Sequence, residues 1–247
     1  MRAFVAFELP EAVRREAARR AGALCDRLPA ARWVRPEAIH LTLRFLGEVE
    51  EERLAELSGT LAAAFAAAPP LTLALHGGGC YPPVRPARLA WAGVRVGGDR
   101  PDPAPLVALH GRIEQAAAAC LGLEPERRPF SPHVTLARCK RPWGRREVEA
   151  FAAAFAGPVG EPFVAESGSL IESQLTPDGP RYRTIEAFPL GGGEAGPANG
   201  AAGSAVEAPP AAGAAESAGE PRPAFAGAAS GREETAAATT EQPWRSR

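Results

Sequence analysis

The stretch AIHLTLRFLG (Ala38–Gly47) and its shorter echo SPHVTLAR (Ser131–Arg138) put two of the chain's four histidines in one frame, histidine-apolar-threonine-leucine. In a strand, successive side chains point to opposite faces. On that period His40 and Thr42 share one face, with Leu41 and Leu43 behind them. His133 and Thr135 repeat the pattern over Val134 and Leu136. Each strand thus offers an imidazole and a hydroxyl side by side on an aliphatic backing. One threonine two places after a histidine means little, because strands favour threonine. With nine threonines in 247 residues, meeting it by accident at two of four histidines is on the order of 1%.

Working outward, RAFVAFEL (Arg2–Leu9) is a short apolar run bounded by Pro10, as a buried strand is. A helix pattern follows, with Val13, Ala17, Leu24 and Leu28 at roughly helical spacing. Then come RWV, a turn at Arg35-Pro36 and the first histidine strand. A second helix opens on glutamates, where the helix dipole favours them, and ends at Pro69-Pro70 before the strand LTLAL. The second half repeats this order: a strand over ARLAWAGVRV, a helix from Pro105 to Leu123, the second histidine strand and a helix over GRREVEAFAAAFA. Two further strands are expected, PFVAESGSLIES and RYRTIEAFPL. A β-α-β-α-β unit thus occurs twice, each time with the histidine-threonine strand third. The expected fold is α+β and bilobal, two duplicated units whose mainly antiparallel sheets face a central cleft.

From Gly191 onward the chain turns to Gly, Ala, Pro, Ser, Glu and Thr and nearly loses branched aliphatics. Such a stretch buries too little apolar surface to offset its ordering entropy, so residues 1–190 are expected to fold and 191–247 to form a disordered tail. The tail holds seven Glu and four Arg, which leaves the body 24 basic against 22 acidic residues. A charge of +2 is compatible with a polyanionic ligand without demanding one. Lys140 is the single lysine, so the arginine content reflects codon bias as much as phosphate binding. Cys25, Cys80, Cys120 and Cys139 are scattered, with no C-x-x-C spacing, which argues against a structural zinc site and a disulfide framework. The N-terminus lacks the apolar run of a signal peptide and no window approaches a membrane span, so a soluble cytoplasmic protein is expected.

Two imidazoles and two hydroxyls around one cleft suit acid-base chemistry at phosphorus. A neutral histidine takes a proton from water, a protonated one delivers a proton to a leaving oxygen, and hydroxyls donate to the non-bridging oxygens. Neither a metal nor a covalent nucleophile is required.

On these residues the chain resembles the RNA 2′,3′-cyclic phosphodiesterases, also called 2′-5′ RNA ligases, of the 2H phosphoesterase superfamily. Their paired H-x-T-x motifs are matched by His40-Leu41-Thr42-Leu43 and His133-Val134-Thr135-Leu136, and supporting matches such as RWVRPEAIHLTLRFLGEV and RPFSPHVTLAR extend over residues 1 to 190. The resemblance implies an enzyme acting on RNA that ends in a 2′,3′-cyclic phosphate; a metal-independent, cofactor-free monomer is expected. It implies His40 as proton donor, His133 as proton acceptor, Thr42 and Thr135 on the phosphate, Phe45 stacking on a base and Arg138 binding phosphate. Strand parity works against the last two. Phe45 falls on the Leu41 face unless the strand is interrupted, and Arg138 reaches the His133 face only if a bulge intervenes. The residues also leave open a non-catalytic RNA- or nucleotide-binding module, and an enzyme for 2′-5′ oligonucleotides or other small cyclic phosphodiesters.

Other features count for less. His76 opens LHGGGCY, which reads as a plain turn more readily than as a phosphate cradle. His110, within a helix pattern, reads as structural or surface. GGGEAG (Gly191–Gly196) has no helix after it to complete a dinucleotide fingerprint. No P-loop and no nucleophile-elbow serine motif occur. Arg138, Lys140, Arg141, Arg145 and Arg146 either guide an RNA backbone or form a solvated face, and Trp143 either stacks on a ligand or caps the lobe.

Overall fold

A computed structural model of the chain describes residues 1–191 except positions 29, 83–85, 99, 100, 177 and 178. The expected tail lies, from position 192 on, outside the described residues. The elements run β1 (Arg2–Glu8), α1 (Glu11–Gly22), β2 (Ala31–Trp33), β3 (His40–Glu48), α2 (Leu54–Ala66), β4 (Leu71–Tyr81), β5 (Ala87–Val96), α3 (Ala104–Leu121), β6 (His133–Trp143), α4 (Arg145–Ala154), β7 (Pro158–Ala165), β8 (Ser167–Thr176) and β9 (Gly179–Pro189). Among the described residues, no helix is long and apolar enough to cross a membrane.

The α+β class and the antiparallel pairing agree with expectation, but the strands form one sheet, not two. Its order is β7-β4-β5-β6-β3-β1-β8-β9, with β2 added beside β6. The two histidine strands are neighbours at its centre, joined antiparallel where Leu41 faces Val134. The halves of the sheet are also not the halves of the sequence. β1-α1-β3-α2 and β5-α3-β6-α4 are equivalent runs, but β4, which follows α2, pairs with β5. β8, further down the chain, pairs with β1. Each half therefore borrows a strand, and neither can close its sheet alone. The stretch read as one strand from Pro162 to Ser173 is two, β7 on one edge of the sheet and β8 near the other.

The core lies behind the histidines. Leu41, Leu43, Val134 and Leu136 are each at most 3% exposed and pack in one cluster with Leu57, Leu61 and Phe65 of α2 and Leu106, Leu109 and Ile113 of α3. α1 turns Val13, Ala17 and Ala21 inward at four-residue spacing, one face of a 3.6-period helix. α3 ends at Gly122 in the left-handed conformation, where glycine carries no Cβ penalty. Trp143 is fully buried against Trp33 and Phe151, so of its two expected roles it takes the one in the core.

His76 sits inside β4, which runs on through the three glycines to Tyr81, so the expected turn is absent. The glycines are explained by space. A Cβ on Gly78 would meet Phe155 Cβ at 2.5 Å, and one on Gly79 would meet the Trp91 ring at 2.5 Å. Gly77, with φ +72°, adopts the left-handed backbone where β4 loses register between Leu75 and Gly78.

Candidate active site

The single pairing of Leu41 with Val134 fixes the geometry of both motifs. In that antiparallel register His40 lies across from Thr135, and Thr42 across from His133. Directly opposite residues project from the same face, so the four side chains form one half-buried square on the face away from the helices.

Both strands then bulge at corresponding places. β1 pairs Ala6 with Thr42 and Val5 with Arg44, so β3 carries one residue extra. β5 pairs Trp91 with Thr135 and Ala90 with Ala137, which does the same to β6. Leu43-Arg44 and Leu136-Ala137 are accordingly consecutive buried pairs. Each bulge reverses the parity beyond it. Phe45, 48% exposed, therefore joins the histidine face, and Arg138 does so on the other strand. Arg44 is the residue turned inward. It is 6% exposed and is held by Glu114 at 3.1 Å, Glu126 at 2.7 Å and the Glu124 carbonyl at 2.8 Å. His110 is the structural residue of the two expected alternatives: it stacks on Phe130, with centroids 4.1 Å apart, and faces Glu114 at 3.5 Å.

The histidine tautomers follow from the backbone. His40 Nδ1 lies 2.9 Å from the Ala38 carbonyl, and His133 Nδ1 lies 2.7 Å from that of Ser131. A carbonyl only accepts, so each Nδ1 carries the proton and each Nε2 is left for chemistry. Burial lowers both pKa values: His40 falls to about 4, against the raising influence of the Ala38 bond and the Glu8 carboxylate. His133 is lowered too, opposed by its Ser131 bond. By themselves both rings are neutral at pH 7, each a base at Nε2.

Sequence reasoning missed the walls. His40 stacks on Phe4, centroids 4.7 Å apart, and meets Tyr182 edge-on at 5.1 Å. His133 meets Tyr81 and Trp91 edge-on at 5.6 and 6.0 Å. A signal was present: the chain has only two tyrosines, and each stands beside one histidine. Glu8 was missed as well. It lies directly across β1 from His40, and its Oε1 accepts from Ser169 and Thr184 at 3.0 Å each. Of the basic stretch after the second motif, Arg141 pairs with Glu147 and Arg145 with Glu149, which makes them part of a solvated face. Among the described residues, no three His, Cys, Asp or Glu side chains gather as metal ligands do. A larger hollow of about 660 Å³, lined by Pro10, Val13, Pro158 and Phe163, includes none of the cleft residues.

Two imidazoles whose Nδ1 atoms are bound to the backbone, two hydroxyls beside them and aromatic walls make a cleft that can exchange protons with a bound phosphate ester. The comparisons agree: residues 7–91 and 99–182 match the model of the LigT-like phosphoesterases, and the chain belongs to that family. It is 30% identical over 191 residues to an RNA 2′,3′-cyclic phosphodiesterase of Methanothermobacter thermautotrophicus, covering 77% of this chain and 99% of that one. It is 32% identical over 199 residues to one of Geobacillus stearothermophilus, covering 78% of this chain but only 58% of that relative. Among solved structures, TT0787 of Thermus thermophilus matches with a TM-score of 0.64 at 29% identity, over 78% of this chain and 100% of that one. E. coli LigT in apo form matches at 0.59 and 26%, over 76% and 96%.

Proposed function

We propose that the chain hydrolyses 2′,3′-cyclic phosphate ends of RNA to 2′-phosphomonoesters, with His40 as acid and His133 as base. The observation that carries this is the pair of Nδ1-to-carbonyl bonds, which aim two imidazole Nε2 atoms into one cleft across Thr42 and Thr135. His133 Nε2 takes a proton as water oxygen bonds to phosphorus. The phosphorus-O3′ bond breaks, and O3′ receives the proton from His40 Nε2, leaving the phosphate on O2′. Thr42 and Thr135 donate hydrogen bonds to the non-bridging oxygens, where transition-state charge collects. Arg138 binds the phosphate from the β6 side, and Phe45 stacks on the terminal base, as single-stranded RNA is commonly held.

The charge of the substrate solves a problem that the cleft by itself poses. His40 is neutral there at pH 7, whereas an acid must hold a proton. The phosphodiester brings a negative charge into the same cleft, and an adjacent opposite charge favours the imidazolium. The names of the relatives and the family match support the substrate, as does the solved complex of E. coli LigT with 3′-AMP. With a 5′-hydroxyl in place of water as the nucleophile, and O3′ leaving as before, the same groups would form a 2′-5′ linkage.

The test is a short RNA ending in a 2′,3′-cyclic phosphate, incubated with EDTA and wild type, His40→Ala or His133→Ala. Wild type should give a 2′-phosphate, and each variant should lose roughly 10²- to 10⁴-fold in turnover. A 3′-phosphate product would reverse the leaving oxygen. RNA binding without turnover would make the chain a binding module.

A further inference from the structure

The two halves of the cleft are nearly equivalent, yet the reaction needs one histidine charged and the other neutral. Equivalent frames, equivalent bulges and equivalent Nδ1 bonds give the rings no reason to differ. The cross-strand neighbours do. Opposite His40 on β1 stands Glu8, and opposite His133 on β5 stands Gly93. We propose that Glu8 is a positioning residue that holds the proton on His40 and so decides which of the two histidines is the acid. This rests on the two-histidine reading above and adds a residue to it.

Three observations carry the proposal. First, the register places Glu8 directly across from His40, where Cβ atoms of an antiparallel pair lie about 4.5–5.5 Å apart. Second, the carboxylate is anchored: Ser169 Oγ on β8 and Thr184 Oγ1 on β9 both donate to Oε1 at 3.0 Å. Third, Glu8 and His40 line the same small cavity, about 80 Å³, together with Tyr182 and Thr184.

The other charged groups lining that cavity are Arg14 of α1 and Glu37 of the short turn before β3, and Tyr182 of β9 stands edge-on to the His40 ring. Across β6 the neighbour is Thr135, which carries no charge, and then His133 itself. Glu37 is paired with Arg35 at 3.4 Å, and among the described residues lining the cavity Glu8 is the negative charge anchored by hydroxyl donors. Phe4 adds a second asymmetry. Its ring lies stacked on His40, 27° from parallel, whereas Tyr81 and Trp91 meet His133 edge-on. A cation over an aromatic face is favoured by the ring quadrupole. Both features stabilise the charged form of His40, and among the described residues the facing positions at His133 supply neither.

The test titrates the four histidines of full-length protein by NMR in wild type, Glu8→Gln, Glu8→Asp and Thr184→Val, alongside kcat/KM on the cyclic-phosphate RNA. Glutamine keeps an oxygen for the two hydroxyls while removing the charge, and Thr184→Val loosens the anchor without touching Glu8. In Glu8→Gln, His40 should titrate about one pH unit lower while His133 stays fixed. Turnover at pH 7 should fall about tenfold, and Glu8→Asp should recover most of it. An unmoved His40, an equal shift of both rings, or a shifted His40 with full activity would each overturn the proposal. If instead His40→Ala retains wild-type turnover, the two-histidine reading fails, while the titrations still report whether Glu8 controls the charge of His40.

Discussion

Gly78 and Gly79 are adjacent in β4 and face opposite ways, which allows the core and the cleft to be perturbed separately. A Cβ at Gly79 would sit 2.5 Å from Trp91 Cζ2 and 2.9 Å from Cε2. Ordinary contacts begin near about 3.4 Å, so the indole must retreat by about 1 Å. Trp91 walls His133, and Gly79 is its direct partner across β4 and β5. Displacements of that size near reacting groups cost on the order of 10²-fold, so Gly79→Ala should lower kcat/KM by about 10- to 100-fold. A Cβ at Gly78 would instead strike Phe155 Cβ at 2.5 Å and the Phe151 ring at 3.1 Å, on the buried side. Overpacking there costs about 1–3 kcal/mol, which for a domain of this size lowers Tm by roughly 3–10 °C. Gly78→Ala should therefore lose stability while its kcat/KM stays within about twofold of wild type. Urea denaturation and cleavage of cyclic-phosphate RNA, run on both variants, separate the two effects. Wild-type activity in Gly79→Ala, or an equal loss of activity in Gly78→Ala, would refute the assignment of faces.

Stability should decline on acidification before the carboxylates titrate. His40, His133 and His110 all have native pKa values lowered by burial. The unfolded chain therefore binds more protons below about pH 6.5, and stability falls with pH from there toward the native values, about 4 for His40. A urea midpoint that holds constant or rises from pH 7 to 5 would contradict this. Arg44→Met leaves Glu114 buried without its cation, which should cost about 3–5 kcal/mol and release the bulge that presents Phe45. A loss under about 1 kcal/mol in denaturant titration would show that the network is not what holds the bulge. A chain truncated after Gly191 should keep kcat/KM within about twofold, since every cleft residue precedes it; a large loss would place the tail in the site.

The sequence by itself determined what repeats locally. A period of two over His40–Leu43 and His133–Leu136 marks two strands with aliphatic backs and polar fronts, and the 3.6-residue spacing in α1 marks its buried face. The candidate site residues were legible because two copies of one short frame in one chain are hard to obtain by chance. Tertiary structure decided everything that depends on which strand lies beside which. The expected pair of sheets became one because β3 and β6 meet at Leu41 and Val134, a contact between residues far apart in the chain. Phe45 and Arg138 reach the cleft because each strand bulges by one residue just before them against its neighbour, which no pattern within that strand encodes. On β3 the extra residue is Leu43, and the inward turn of Arg44 that follows it is compensated by Glu114 and Glu126 from α3 and the loop after it. Phe4, Tyr81, Trp91, Tyr182 and Glu8 acquire their places in the same way, from strands that border the motifs only after folding. A local period fixes the face from which a side chain leaves its own strand, whereas non-local pairing fixes what stands across from it.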